Sequence, residues 1–115
     1  ILGVSCTSGT GRQETGLVHT VFFWMKTGVA GSEKAEFEEG LEKLGSVSTI
    51  LSYEYGVPAG TPREVVDNSY DYAWIVRFEN AADQDLYQED PIHKEFVEKY
   101  QHLWEKVLVY DTLLK

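Results

Sequence analysis

Residues 17–26, LVHTVFFWMK, constrain the fold of this chain more than any other segment. Their β-branched and aromatic side chains are typical of a β-strand. Successive side chains of a strand point to opposite faces, and here both faces are largely apolar. One face carries Leu17, His19, Val21, Phe23 and Met25, and the other carries Val18, Thr20, Phe22 and Trp24. A strand of this kind has to be covered on both sides.

One helix and two further strands are predicted before residue 80. Ser32 is a suitable N-cap for a helix that ends at Gly45. Gly40 inside this helix lowers its stability by about 1 kcal/mol relative to alanine. Strands are predicted over residues 50–57 and 70–78, with a polar loop between them. The second alternates cleanly, and its larger apolar face carries Tyr70, Tyr72, Trp74, Val76 and Phe78.

The remaining segments complete an α+β pattern. Asn80 and Asp90 each precede a short helix, and Pro91 is favoured at the first helical position. A last strand is predicted over residues 106–114. The order of strand, helix, two strands, two helices and strand predicts a ferredoxin-like fold, an antiparallel four-stranded sheet with helices on one face. The uncovered apolar face predicts a homodimer, in which two sheets face each other and enclose a dimeric α/β barrel.

The charge and motifs exclude several classes of function. The chain carries 19 acidic and 10 basic residues, a net charge of −9. Nucleic-acid binding needs clustered Lys and Arg, so a nucleic-acid partner is not expected. The histidines at 19, 93 and 102 lack metal-ligand spacing, and no phosphate-binding or dinucleotide-binding motif is present. We therefore expect no metal and no cofactor.

Residues 1–16, ILGVSCTSGTGRQETG, are predicted to form a flexible tail before a domain that spans residues 17–115. Apolar residues followed by Ser5, Cys6 and a polar run resemble the end of a bacterial lipoprotein signal peptide, although Gly3 replaces the usual large aliphatic residue. This interpretation predicts a lipid on Cys6, the only membrane contact expected, and a lipid-anchored or periplasmic protein at the cell envelope. The alternative is a tail with an incidental cysteine on a cytoplasmic protein.

Four segments resemble the stress-responsive A/B barrel family, also called Dabb. They are HTVFFWMK from His19, YDYAWIVRFEN from Tyr70, LYQEDPIHKEFVEKY from Leu86 and LWEKVLVYD from Leu103. The resemblance covers residues 17–113 and implies the dimeric α/β barrel. The resemblance does not imply one activity. Plant members that look like polyketide cyclases use a Tyr–His pair in a pocket between sheet and helices. Related dimeric α/β barrels include monooxygenases and haem-handling enzymes.

The resemblance puts Tyr87 and His93 at the positions of the family's tyrosine and Pro-x-His histidine. We expect His93 to act as a general acid or base and Tyr87 to orient a substrate carbonyl. His19 would add a second polar group to the pocket. Each residue has a structural alternative. His93 could be a packing histidine at a helix start, Tyr87 a ring of the core, and His19 a strand histidine hydrogen-bonded to the backbone.

The ligand-binding candidates are apolar or aromatic: Phe23, Tyr72, Trp74, Val97 and Trp104. The aromatic residues of the third strand have a favoured alternative role, which is to fill the dimer interface. Asp90 and Tyr72 are both histidine in a cyclase-like relative, which argues against the same reaction here.

Two functions remain open, and the sequence does not decide whether the protein is an enzyme. In the first, the domain binds a small apolar or aromatic molecule between sheet and helices, with His/Tyr acid–base chemistry of cyclase, isomerase or lyase type. In the second, it is a non-catalytic, stress-protective or structural dimer anchored at the bacterial cell envelope.

Overall fold

The computed structural model describes residues 16–115. Most of the predicted tail, with Cys6, lies outside the described residues. Gly16 is described, and its carbonyl accepts a hydrogen bond of 2.8 Å from the backbone N–H of Leu114. Gly16 is therefore tied to the sheet.

The described residues form the predicted sequence of strands and helices. The elements are β1 (Leu17–Met25), α1 (Gly31–Leu44), β2 (Ser52–Gly56), β3 (Tyr72–Phe78), α2 (Ala81–Glu89), α3 (Pro91–Tyr100), a 3₁₀ turn (Gln101–Leu103) and β4 (Trp104–Leu113). The strands lie in the order β2-β3-β1-β4, and every neighbouring pair is antiparallel. This is the α+β, ferredoxin-like fold that the sequence predicts. Within residues 16–115, no helix has the length and apolar character needed to cross a membrane.

Strand β1 lies at the centre of the sheet, between β3 and β4. Its odd-numbered residues from 17 to 25 are buried, and the residues between them are partly buried. The buried face packs under the helices, since the ring of Phe23 lies 5.2 Å from that of Phe37 on α1. On the other face, which carries Phe22 and Trp24, no helix of residues 16–115 covers the strand. The helices therefore cover one apolar face of β1, as predicted, whereas the other apolar face is an open surface.

The helix caps confirm the prediction at two sites and correct it at a third. Asn80 accepts a hydrogen bond from the backbone N–H of Asp83, and Asp90 accepts one from that of Ile92, with Pro91 at the first helical position. Helix α1, however, is capped at Ala30 rather than Ser32. The carboxylate of Glu33 accepts from the N–H of Ala30 at 3.0 Å, which holds the helix start two residues earlier.

The end of α1 and the limits of two strands also differ from the prediction. Gly45 adopts helical angles, with φ of −64°, and not the left-handed conformation of a glycine cap. Strand β2 is shorter than predicted, and β4 begins earlier because Trp104 pairs with Met25.

The aromatic face of β3 lies under the helices and does not form a dimer interface. Tyr72, Trp74 and Phe78 are buried in the core. Tyr70 does not share their face, because β3 begins only at Tyr72. Its ring instead packs 4.9 Å from that of Phe22 on the open face of the sheet. The favoured expectation for Tyr72, Trp74 and Phe78 was wrong, because these side chains are buried within a single copy of the chain. For Tyr70 the dimer interface stays a prediction.

Candidate functional site

A cavity of about 140 Å³ lies between the sheet and helices α2 and α3. Four of the five predicted ligand-binding residues line it: Phe23, Trp74, Val97 and Trp104. The three predicted catalytic residues, His19, Tyr87 and His93, line it as well. The cavity therefore has a polar end and walls that are mainly aromatic and aliphatic.

The predicted ligand-binding residue Tyr72 lies outside this cavity. Its ring packs 5.1 Å from that of Phe37 on α1, and its hydroxyl donates a hydrogen bond of 2.7 Å to Glu38. Burial, followed by this bond to the carboxylate, raises the pKa of Tyr72 well above its ordinary 10.0. Tyr72 is thus part of the packing between β3 and α1.

The break between α2 and α3 brings Tyr87 and His93 together. Asp90 ends α2 in an extended conformation, and Pro91 starts α3 in a new direction. Tyr87 lies in the last turn of α2 and His93 in the first turn of α3, so that their ring centroids are 4.8 Å apart. The ring of His19, which β1 supplies from below, lies 5.8 Å from that of Tyr87. Tyr87 is therefore the central ring of the three.

Tyr87 is almost fully buried, at 1% exposure. Its hydroxyl oxygen accepts a hydrogen bond of 3.1 Å from the indole N–H of Trp74, so its own hydrogen remains available for donation. Burial raises the pKa of Tyr87 well above its ordinary 10.0, and the indole N–H opposes this only in part. The phenol therefore stays protonated at neutral pH and can act as a hydrogen-bond donor.

His93 is held in its neutral form. Burial lowers the pKa of His93 below its ordinary 6.5, and the nearby His19 lowers it further, against the opposing carboxylates of Asp90 and Glu89. A neutral imidazole has a free ring nitrogen that can accept a proton. This is the state that a general base requires.

His19 forms a pair with Asp111 that the sequence analysis did not predict. Its Nδ1 lies 2.5 Å from the carboxylate of Asp111, and the His19 side chain is 5% exposed whereas that of Asp111 is 42% exposed. An ionised carboxylate only accepts hydrogen bonds, so Nδ1 carries the hydrogen. Gln84 of α2 joins the pair, with its Nε2 at 3.1 Å from His19 Nδ1.

The sequence contains a local signal for Gln84 as a partner of His19, but none for Asp111. Gln84 precedes Tyr87 by three residues, which places both on one face of α2. Asp111 stands opposite His19 only through the register of β1 against β4. That register is set by packing over the whole sheet. One sequence does not reveal it.

The fold and the cavity together define a class of protein: a ferredoxin-like α+β domain with a small pocket between its sheet and its helices. Residues 17–113 match the family described as Stress responsive A/B Barrel Domain, or Dabb. The chain belongs to this family.

Solved structures with the same fold include proteins of different descriptions. The chain is similar to the hydroxynitrile lyase from Passiflora edulis, with 17% identity, a TM-score of 0.78, and coverage of 89% of this chain and 95% of that one. It is also similar to a dimeric ferredoxin-like protein of unknown function from Thermobifida fusca, at 18% identity, a TM-score of 0.75, and coverage of 89% and 93%. A Dabb family protein from Mesorhizobium loti has 22% identity, a TM-score of 0.72, and coverage of 87% and 97%. No curated protein matches the chain. At these identities the likeness shows the fold alone.

Proposed function

We propose that this Dabb protein binds a small, largely apolar carbonyl compound in the cavity between sheet and helices, and moves a proton next to the carbonyl group. Reactions of the cyclase, isomerase and lyase types share this step. The observation that carries the proposal is the convergence of His93, Tyr87 and His19 on one end of a cavity whose other walls are mainly apolar.

The protonation states support a division of roles. Tyr87 would donate a hydrogen bond from its neutral hydroxyl to the carbonyl oxygen. The neutral ring of His93 would accept a proton from the neighbouring carbon. The electron pair of that C–H bond would then form an enolate, which the Tyr87 hydroxyl stabilises, and His93 would return the proton at the end of the reaction.

The size and walls of the cavity restrict the ligand. An apolar cavity of roughly 150 Å³ holds one benzene molecule, so about 140 Å³ suits a ligand of similar size. Trp74 and Trp104 supply aromatic walls, and the described residues that line the cavity include no lysine or arginine that would pair with an anion. A neutral ring or short chain with one carbonyl group fits this description. The name of the similar hydroxynitrile lyase is consistent with a lyase reaction but does not assign one.

The assembly that we propose is a homodimer through the open face of the sheet. Leu108 and Tyr110 of β4 are 37% and 58% exposed, and they adjoin Phe22 and Trp24 around a hollow of about 360 Å³. Apolar surface of this kind is usually covered in a partner contact. The similar protein from Thermobifida fusca is described as dimeric. A second copy of the chain is therefore the proposed cover.

Cyclohexanone is a suitable probe, because it is neutral, has seven heavy atoms and exchanges the hydrogens next to its carbonyl group. We expect it to shift the indole N–H signals of Trp74 and Trp104 in ¹H–¹⁵N spectra. In D₂O the protein should accelerate the deuteration of cyclohexanone above the buffer rate. His93→Gln should lower the protein-dependent rate by about 10²-fold or more, since this is the usual contribution of a general base.

The exposed His102 provides the matched control, because His102→Gln removes an imidazole outside the cavity. It should leave both signals and the deuteration rate unchanged. Val97→Phe should fill the cavity and abolish the shifts. Folded protein whose Trp74 and Trp104 signals do not move in saturating cyclohexanone would contradict the binding proposal. Binding without any acceleration would leave a binding protein and exclude the proton-transfer step for this probe.

A further inference from the structure

Gln84 lies on the face of α2 that points to the sheet, one turn before Tyr87. Its side-chain nitrogen is 3.1 Å from Nδ1 of His19 and 3.4 Å from each oxygen of Asp111. Gln84 is partly buried, and it is not among the residues that line the cavity. It therefore contacts the His19–Asp111 pair and not the space in which a ligand would bind.

The hydrogen-bond balance of the three side chains has one consistent solution. Nδ1 of His19 either donates or accepts, and the carboxylate at 2.5 Å requires it to donate. The amide N–H of Gln84 is then left with the Asp111 oxygens as its acceptors. The short distance between Gln84 Nε2 and His19 Nδ1 then arises because both nitrogens lie next to the same carboxylate of Asp111.

Asp111 needs such a partner because it lies on an edge strand. Its side chain is 42% exposed, so a rotation of the carboxylate into water would release His19. The amide of Gln84 holds the carboxylate from the α2 side, and β4 holds its backbone opposite His19. The ring nitrogen that carries the hydrogen is set by the hydrogen bond that the ring makes.

We infer that Gln84 is a positioning residue, which holds Asp111 on His19 so that His19 keeps its hydrogen on Nδ1 and presents Nε2 to the cavity beside Tyr87. The use of that Nε2 by a ligand rests on the proposed function, whereas the state of the ring does not. A fixed His19 ring would give the polar end of the cavity a ring nitrogen of constant position beside the hydroxyl of Tyr87 and the ring of His93.

The Nδ1 hydrogen of His19 tests this inference without any substrate. We expect a downfield ¹H signal for it, coupled to a protonated Nδ1 in ¹⁵N-labelled protein, that exchanges slowly with water. Gln84→Met keeps the length of the side chain and removes the amide. The loss of a hydrogen bond to a charged group should raise the exchange rate of that hydrogen by about tenfold or more. Gln84→Glu should have at least as large an effect, because a second carboxylate cannot donate and repels Asp111.

Gln88→Met is the matched control, since Gln88 lies one turn further along α2 and lines the cavity, whereas the hydrogen bonds from α2 to the pair come from Gln84. It should leave the exchange rate within about twofold of the original value. Gln84→Glu provides a second measurement in case the methionine variant fails to fold. Retention of the slow signal in either folded Gln84 variant would overturn the inference. A slow signal that depends on Gln84 in a protein that binds no cyclohexanone would instead overturn only the proposed function.

Discussion

The effect of Gly40→Ala on the free energy of unfolding separates the helix propensity of residue 40 from the side-chain packing around α1. Helix propensity alone predicts that this change stabilises the protein by about 1 kcal/mol. In the structure, however, a Cβ atom on residue 40 would lie 2.3 Å from Cε2 and 2.7 Å from Cζ of the Tyr100 ring. That ring is buried and packs 5.9 Å from Phe37 and 5.3 Å from Phe96.

The clash should outweigh the gain in propensity. Insertion of a methyl group into a packed core costs roughly 1–3 kcal/mol, because neighbouring side chains leave their preferred rotamers. Against a gain of about 1 kcal/mol, the free energy of unfolding should fall by about 1 kcal/mol in Gly40→Ala. When Tyr100 is first replaced by alanine, the same change at residue 40 should raise it by about 1 kcal/mol.

Urea denaturation of the four proteins of this double-mutant cycle measures both effects, at one fixed protein concentration because of the proposed dimer. The expected coupling between residues 40 and 100 is about 2 kcal/mol. Stabilisation by Gly40→Ala in both backgrounds would refute the reasoning, since it would mean that the Tyr100 ring moves without cost into the groove between α1 and α3. An equal loss in both backgrounds would place the clash elsewhere.

Three further predictions concern the candidate site and the tail. Burial lowers the pKa of His93 below 6.5, so the unfolded chain binds a proton on this ring at a higher pH than the folded protein does. The free energy of unfolding should therefore fall as the pH drops below about 6.5. Urea midpoints measured at about pH 8 and about pH 5.5 should differ less in His93→Gln than in the original protein. Tyr87→Phe leaves the buried N–H of Trp74 without its acceptor and should lower the free energy of unfolding in urea by about 1–3 kcal/mol. Tyr72→Phe should lower it less, because the acceptor of the Tyr72 hydroxyl, Glu38, is only partly buried. Equal losses in the two variants would contradict the role of Tyr87 as the acceptor of the Trp74 N–H. We propose that Cys6 carries a lipid at the cell envelope, so bacteria that express the full gene with labelled palmitate should label the protein but not Cys6→Ser, and an unlabelled, soluble product would contradict this.

The features that the sequence predicted correctly depend on signals within a few residues. Asp90 and Pro91 break the chain between α2 and α3, and this break brings Tyr87 and His93 to one cavity. The order of the elements follows from periodicity in the same way. Most of the cavity wall was also predictable, because Phe23, Trp74, Val97 and Trp104 are apolar residues on faces that the sheet and helices must cover.

The features that were missed depend on contacts between distant parts of the chain. Asp111 and His19 are 92 residues apart in sequence and meet only through the register of β4. Gly40 was judged a local fault in α1, although the ring of Tyr100 occupies the space that a side chain would need. Tyr70 was assigned to the wrong face, since alternation does not extend beyond the start of β3. A pattern along the chain does not contain these distances, because they are fixed only when the sheet and the helices pack together.

Strand β1 connects the two surfaces on which the proposals depend. His19, Val21 and Phe23 line the cavity, while Phe22 and Trp24 line the hollow on the open face. Only the thickness of the sheet therefore separates the proposed ligand site from the proposed dimer contact. A dimer that covers Phe22 would limit the movement of β1 and with it the position of His19. The two apolar faces of β1 have separate causes, and the proposed proton transfer on one face would be best preorganised when the proposed dimer contact covers the other.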